Sequence, residues 1–165
     1  MLPIRLFFIL FTITIFSSCY SFKGISIDPE TKTFYVGAFD NSAPNALPTL
    51  PLTYTNSLIQ KILNESPLKQ NDETPDIEFR GTITGFRVTS EAPTSEDEIA
   101  FNRLTIRVLI EYIDNKDEEK NWSSNFNHFN DFGADQNLID VQDELIDNIG
   151  DQLMEDIFNK AFTDW

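Results

Sequence analysis

The chain has little of what most active sites are built from. Its 165 residues include one cysteine and one histidine, and 12 lysines and arginines face 27 aspartates and glutamates, a formal charge of −15. One cysteine makes no internal disulfide and no cysteine-based zinc site, and one histidine leaves no Cys/His dyad once that thiol is used elsewhere. The charge excludes a nucleic acid as the main partner, because phosphate binding needs a surplus of cations to release counterions. Among the acids no Asp-x-Asp-x-Asp-Gly calcium loop occurs. What is present suffices for one packed domain: 41% of residues are hydrophobic and 15 are phenylalanine.

A long apolar stretch stands only at the start, from Leu6 to Phe16 with Thr12 and Thr14 inside it, after Arg5 and before Ser17-Ser18-Cys19. A cationic start, a short apolar stretch and small residues at its exit are the three parts of a secretory signal peptide. The stretch is too short to cross a bilayer, which takes about 20 residues. Its end resembles the bacterial lipobox, with Phe16 where leucine is usual. That resemblance implies a signal peptide over 1–18, cleavage before Cys19, and acyl chains of the palmitate kind on Cys19. One chain holds a protein weakly and two or more hold it durably, at about 0.8 kcal/mol per buried methylene. Residues 19–31 then read as a tether and 32–165 as the domain. No Asp follows Cys19 to signal inner-membrane retention, so the expected site is the periplasmic side of the outer membrane.

Along the domain, 32–39 is β-branched and aromatic and reads as a strand. Pro44, Pro48 and Pro51 forbid regular pairing before a helix over Leu52 to Leu63, which Thr49 or Thr53 can cap. Residues 77–89 alternate as a strand whose parity breaks at Gly85, as at a bulge. Alternation returns from Leu104 to Tyr112, and Trp122 to Phe132 completes a three-strand meander. Leu138, Val141, Leu145, Ile149, Leu153, Ile157, Ala161 and Trp165 then step at helical spacing, with Asp135 as the cap and a solvated acidic face. The order β-α-β-β-β-α predicts an α+β fold, with two helices packed on one face of a four-stranded mixed sheet. If strand two pairs parallel with strand one, a right-handed crossover puts both helices on the same face and leaves the other sheet face bare.

Arg80, Arg87, Arg103 and Arg107 fall on that bare face. Folding the hairpin about Ser95 brings Arg87 close to Arg103, so an anion is expected beside them. It is either the hairpin's own Glu96-Asp97-Glu98 or a phosphate or carboxylate on a ligand or partner. His128 reads as a surface or inter-strand histidine. No pair of acids is singled out for hydrolysis, so no catalytic residue, metal ligand or cofactor is expected beyond the covalent lipid on Cys19.

Taken together, Cys-Tyr-Ser-Phe-Lys-Gly after the lipobox, Lys-Thr-Phe-Tyr-Val, residues 79–86 (Phe-Arg-Gly-Thr-Ile-Thr-Gly-Phe), 102–106 (Asn-Arg-Leu-Thr-Ile) and the ending 143–161 resemble the LptE family of the Bacteroidetes type. The resemblance spans essentially the whole chain after the leader. It implies a non-enzymatic lipoprotein that sits in the lumen of the outer-membrane β-barrel LptD, assists its assembly and forms the lipopolysaccharide translocon with it. The strong acidity fits a plug better than a lipid carrier. In such a protein the four arginines become candidate contacts for lipopolysaccharide or for the partner. The rival expectation is a free periplasmic lipoprotein that binds a small ligand.

Overall fold

The computed structural model describes residues 26–91 and 100–163. Cys19, the leader, the first part of the tether and the acidic run Glu96 to Glu98 lie outside the described residues. The elements are β1 (Thr33–Val36), β2 (Asp40–Asn41), α1 (Leu50–Glu65), β3 (Lys69–Gln70), β4 (Ile77–Glu91), β5 (Phe101–Asp114), β6 (Trp122–Gly133) and α2 (Leu138–Phe162). The sheet order is β3-β1-β4-β5-β6, with β2 also against β4. β4, β5 and β6 form the expected antiparallel meander, and β1 is parallel to β4, which meets the condition for both helices to share a face.

Two very short strands, β2 and β3, add to the four expected. The first expected strand, 32–39, ends early because the chain turns inward at Phe39. That ring packs directly on Gly81 of β4, where an added Cβ would lie 2.5 Å from it. Pairing resumes only at Asp40, opposite Thr82.

α1 starts two residues before the expected Leu52. Pro51 belongs to its first turn, where the missing N–H costs nothing. Thr49 holds the cap position but its side chain makes no cap bond. Leu50, Tyr54, Leu58 and Ile62 recur every fourth residue and are all buried. Ser66 ends the helix by donating its hydroxyl to the Ile62 carbonyl at 2.7 Å. α2 is capped by Asn137, whose side-chain oxygen accepts from the Ile139 amide, and not by Asp135.

The helices lie side by side on one face. The buried Tyr54 ring rests against Gly150, where an added Cβ would meet it at 2.9 Å, and its hydroxyl donates to the Ile146 carbonyl at 3.2 Å. Lys61 of α1 pairs with Glu155 of α2 and with Glu65 on its own helix. Beneath them Phe34, Phe79, Ile83, Ile106, Val108 and Ile110 form the sheet's half of the core. Full burial of each such side chain stabilises the fold by about 1.5–3 kcal/mol. Among the described residues no buried side-chain nitrogen or oxygen lacks a partner, and no helix is long and apolar enough to cross a membrane.

Candidate functional site

The helices leave the opposite face of β4, β5 and β6 open, and all four arginines stand on it. The bulge makes this so. Ile83 pairs with Val108 and Gly85 with Arg107, so Thr84 is an extra residue that resets the parity of β4. Without that reset, Arg80 and Arg87, an odd number of residues apart, would point to opposite faces. Gly85 also gives the Arg107 stem room, since an added Cβ there would touch its Cβ, Cγ and Cδ at 3.4 Å.

Each arginine finds a different environment. Arg80 pairs with Glu78 at 3.0 Å and lies opposite Glu111. Arg103 sits across from Asp131 of β6, its Nε donating to Oδ1 at 2.7 Å and its terminal nitrogen to Oδ2 at 2.9 Å. Its guanidinium also lies 3.7 Å from the centre of the Phe129 ring. This bidentate bond, with the Asp131 charge behind it, raises the Arg103 pKa above its ordinary value. The anion expected beside Arg103 is therefore Asp131, on the neighbouring strand. Symmetric folding about the middle of the polar stretch 114–121 would put Arg103 opposite Phe132, one residue off, so the observed register is what identifies Asp131.

Arg87 is not opposite Arg103, as folding about Ser95 implied. The register is centred one residue further on, so Arg87 faces Thr105, and Arg103 stays close to it only as a diagonal neighbour, as does Arg107. Among the described residues, Arg87 and Arg107 have no ion-pair partner. Together with Thr89 and Thr105 they line a groove of about 500 Å³, closed on one side by Pro44 and Asn45 of the loop after β2. The two loop residues were not foreseen, because only the three-dimensional path brings them to the hairpin. Chemically the groove offers two guanidinium forks and the Thr105 hydroxyl, while Thr89 donates its own hydroxyl to Glu91 at 3.1 Å, and the guanidinium forks suit a phosphate or carboxylate group.

His128 bonds through Nε2 to Asp156 of α2 at 2.7 Å, tying β6 to the helix layer. No nucleophile adjoins it among these contacts. Among the described residues no three histidines, cysteines or acids come together as a metal site.

The fold has relatives of known structure. A minor lipoprotein from Acinetobacter baumannii is 8% identical, with a TM-score of 0.50 over 81% of this chain and 97% of that one. A neuraminyllactose-binding hemagglutinin homolog from Helicobacter pylori is 10% identical, with a TM-score of 0.53 over 86% and 91%. PelC from Paraburkholderia phytofirmans, solved as a dodecamer, is 8% identical, with a TM-score of 0.51 over 86% and 94%. At such identities the likeness shows the fold alone. None of the curated proteins matches the chain. The family model LptE, described as lipopolysaccharide-assembly, matches residues 31–161, nearly the whole of the domain. The chain belongs to the LptE lipopolysaccharide-assembly family.

Proposed function

We propose that the protein is a non-enzymatic lipoprotein of the outer membrane, anchored by acyl chains on Cys19, that plugs the LptD β-barrel and assists its assembly. The observation that carries this reading is the open sheet face. It is a mostly polar surface of arginine, threonine, serine and asparagine side chains, interleaved with Glu78, Glu111 and Asp131 and with the half-exposed Phe129 ring, that the protein's own helices do not cover. The lumen of an outer-membrane barrel is likewise lined by polar groups, so a mostly polar face fits against it with little apolar surface to bury beyond the Phe129 ring. Family membership supports the role in lipopolysaccharide assembly. The identity of the barrel, the plug position and the outer-membrane address are part of the proposal. So are the leader over 1–18 and the lipid on Cys19.

On that face the groove between Arg87 and Arg107 is the proposed contact for a lipopolysaccharide phosphate or an acidic partner group. Arg80 and Arg103 are already engaged by Glu78 and Asp131, so they serve as lateral contacts. Replacing Arg87 and Arg107 by Glu in the lipidated protein should leave folding intact and weaken either recovery of the barrel or lipopolysaccharide binding. Unchanged behaviour in both assays would return these residues to ordinary surface. Purification from outer membranes should bring down a large β-barrel protein. A monomer that instead retains a small molecule would favour the free periplasmic binder. Cys19→Ala should move the protein to the soluble fraction in high salt.

A further inference from the structure

Where β5 turns into β6, the chain builds a second cleft, on the helix side of the sheet and at the other end of β5 from the arginine groove. Its volume is about 480 Å³, in the range of small-molecule sites. One wall is the segment before β1, which Ser26 fastens by donating its amide to the Phe162 carbonyl at the end of α2, at 2.7 Å. The β5–β6 connection forms another, and Lys120 there pairs with Asp28 of the first wall at 3.1 Å.

Two buried polar side chains of β5 line this cleft. Tyr112 and Asp114 are 9% and 4% exposed and, two apart on a strand, point to the same side. Tyr112 lies flat against Trp122 with ring centres 5.4 Å apart, and its hydroxyl bonds to no group among the described residues. Asp114 spends Oδ1 on the Lys116 and Asp117 amides at 2.8 and 3.0 Å, which fixes the carboxylate, and its Oδ2 accepts from none of the described residues. No sealed side-chain oxygen among the described residues lacks a partner, so both free atoms open into the cleft. Burial and the Asp114 charge push the Tyr112 phenol up to about 12, so it keeps its proton and can donate. Lys160 of α2 also lines the cleft, 5.2 Å from the centre of the Trp122 ring, with no ion-pair partner among the described residues.

We propose that this cleft binds a small zwitterion, a primary ammonium joined by a short linker to a carboxylate or phosphate. The unengaged groups choose it. Asp114 Oδ2 is a fixed anionic acceptor that suits the ammonium, while Lys160 and the Tyr112 hydroxyl are donors that suit the anionic end. A ligand with one sign of charge would set a like charge against either Asp114 or Lys160. At the mouth Lys120 and Asp28 already answer each other and favour neither sign. A free amino acid and the ethanolamine phosphate headgroup of a phospholipid both carry this chemistry. The cleft is away from the open sheet face, so its occupancy does not depend on what covers that face.

Titration of the mature protein in nonionic detergent micelles, followed by NMR at the Trp122 indole N–H, tests this. Glycine and O-phosphoethanolamine are the zwitterions, and ethanolamine, acetate and inorganic phosphate are their separate halves. At least one zwitterion should bind about tenfold more tightly than either of its halves. Lys160→Met should lower zwitterion binding about tenfold and leave ethanolamine binding unaltered, whereas a merely structural lysine would move both or neither. Tyr112→Phe keeps the stacking and should weaken the zwitterion about threefold or more. Phosphatidylethanolamine mixed into the micelles separates the sources: competition with the soluble zwitterion supports the headgroup, and its absence supports a free amino acid. Zwitterions that bind no better than their halves, or bind Lys160→Met as they bind the natural protein, would overturn the proposal. Barrel recovery should be unchanged in Lys160→Met, so this proposal and the plug reading can fail separately.

Discussion

Asp76, partly buried just before β4, ties three parts of the fold together. Its carboxylate accepts from the Lys32 and Thr33 amides at 2.7 and 3.0 Å and pairs with Lys116 at 2.8 Å, joining β1, β4 and the β5–β6 connection. The Lys116 ammonium and the two backbone amides hold its pKa well below the usual carboxylate range. A group with a depressed folded pKa stabilises fully above its unfolded value, near 4, and loses that contribution as pH falls through the lower folded value. Asp28, Glu78 and Glu155 are shifted the same way by Glu30's amide with Lys120, by Asn115 with Arg80, and by Lys61 with Asn159. Denaturant unfolding from pH 7 to pH 3 should therefore show stability dropping below about pH 4. Asp76→Ala should cost about 1–2 kcal/mol at neutral pH, from two amides left without their acceptor, and should flatten the acid limb without abolishing it. An acid limb unchanged in this variant would show that Asp76 is not one of its sources.

At the scale of elements, the bulge in β4 decides which side chains reach the open face. Deleting Thr84 removes the extra residue itself, so Ile83 stays paired with Val108 and Gly85 with Arg107, and every side chain keeps its face. Deleting Thr82 shortens the strand equally but cannot do this. Regular pairing then turns Ile83 outward and Thr84 inward, exposing a buried isoleucine and burying a hydroxyl. Chemical unfolding should find the Thr82 deletion less stable than the Thr84 deletion by about 3 kcal/mol or more. Equal losses would mean that the bulge does not set the face. Parity made this feature readable from the sequence, because Ile77, Phe79 and Ile83 cannot share a face with Phe86 without one added residue. The long strands and both helices were legible for the same reason, since their periodicity comes from burial on one side. Features that depend on contacts distant in sequence were not legible: the break of the first strand where Phe39 meets Gly81, the two-residue strands, and Asp131 opposite Arg103, where one residue of turn length decides the partner. The cap of α2 was missed for a local reason, since Asp135 and Asn137 both suit an N-terminus and only the backbone path chooses.

Across the whole molecule, charge is divided between the two faces. On the open sheet face Arg80, Arg87, Arg103 and Arg107 stand among Glu78, Glu91, Glu111 and Asp131 and balance them. α2 instead presents Asp140, Asp143, Glu144, Asp147, Asp151, Glu155 and Asp156, against Lys160 on the same helix and Lys61 across the seam. Asp140, the acid of its first turn, gains from the helix dipole, but Asp143, Asp147 and Asp151 follow at i, i+4 spacing, where like charges cost about 0.2–0.5 kcal/mol per pair. A face so charged repels phosphate groups, whereas on the sheet face the four arginines offset the acids. The charge also makes stability depend on salt. Raising salt to about 1 M shortens the screening length to about 3 Å, and the unfolding midpoint of the natural chain should rise as the helix's self-repulsion is screened. Asp147→Lys turns two repulsions into two attractions, so it should stabilise the protein by about 0.5–1 kcal/mol in low salt and lose that advantage in high salt. If the variant's gain survived at high salt, its source would be helix propensity, and the acidic face would carry no electrostatic strain.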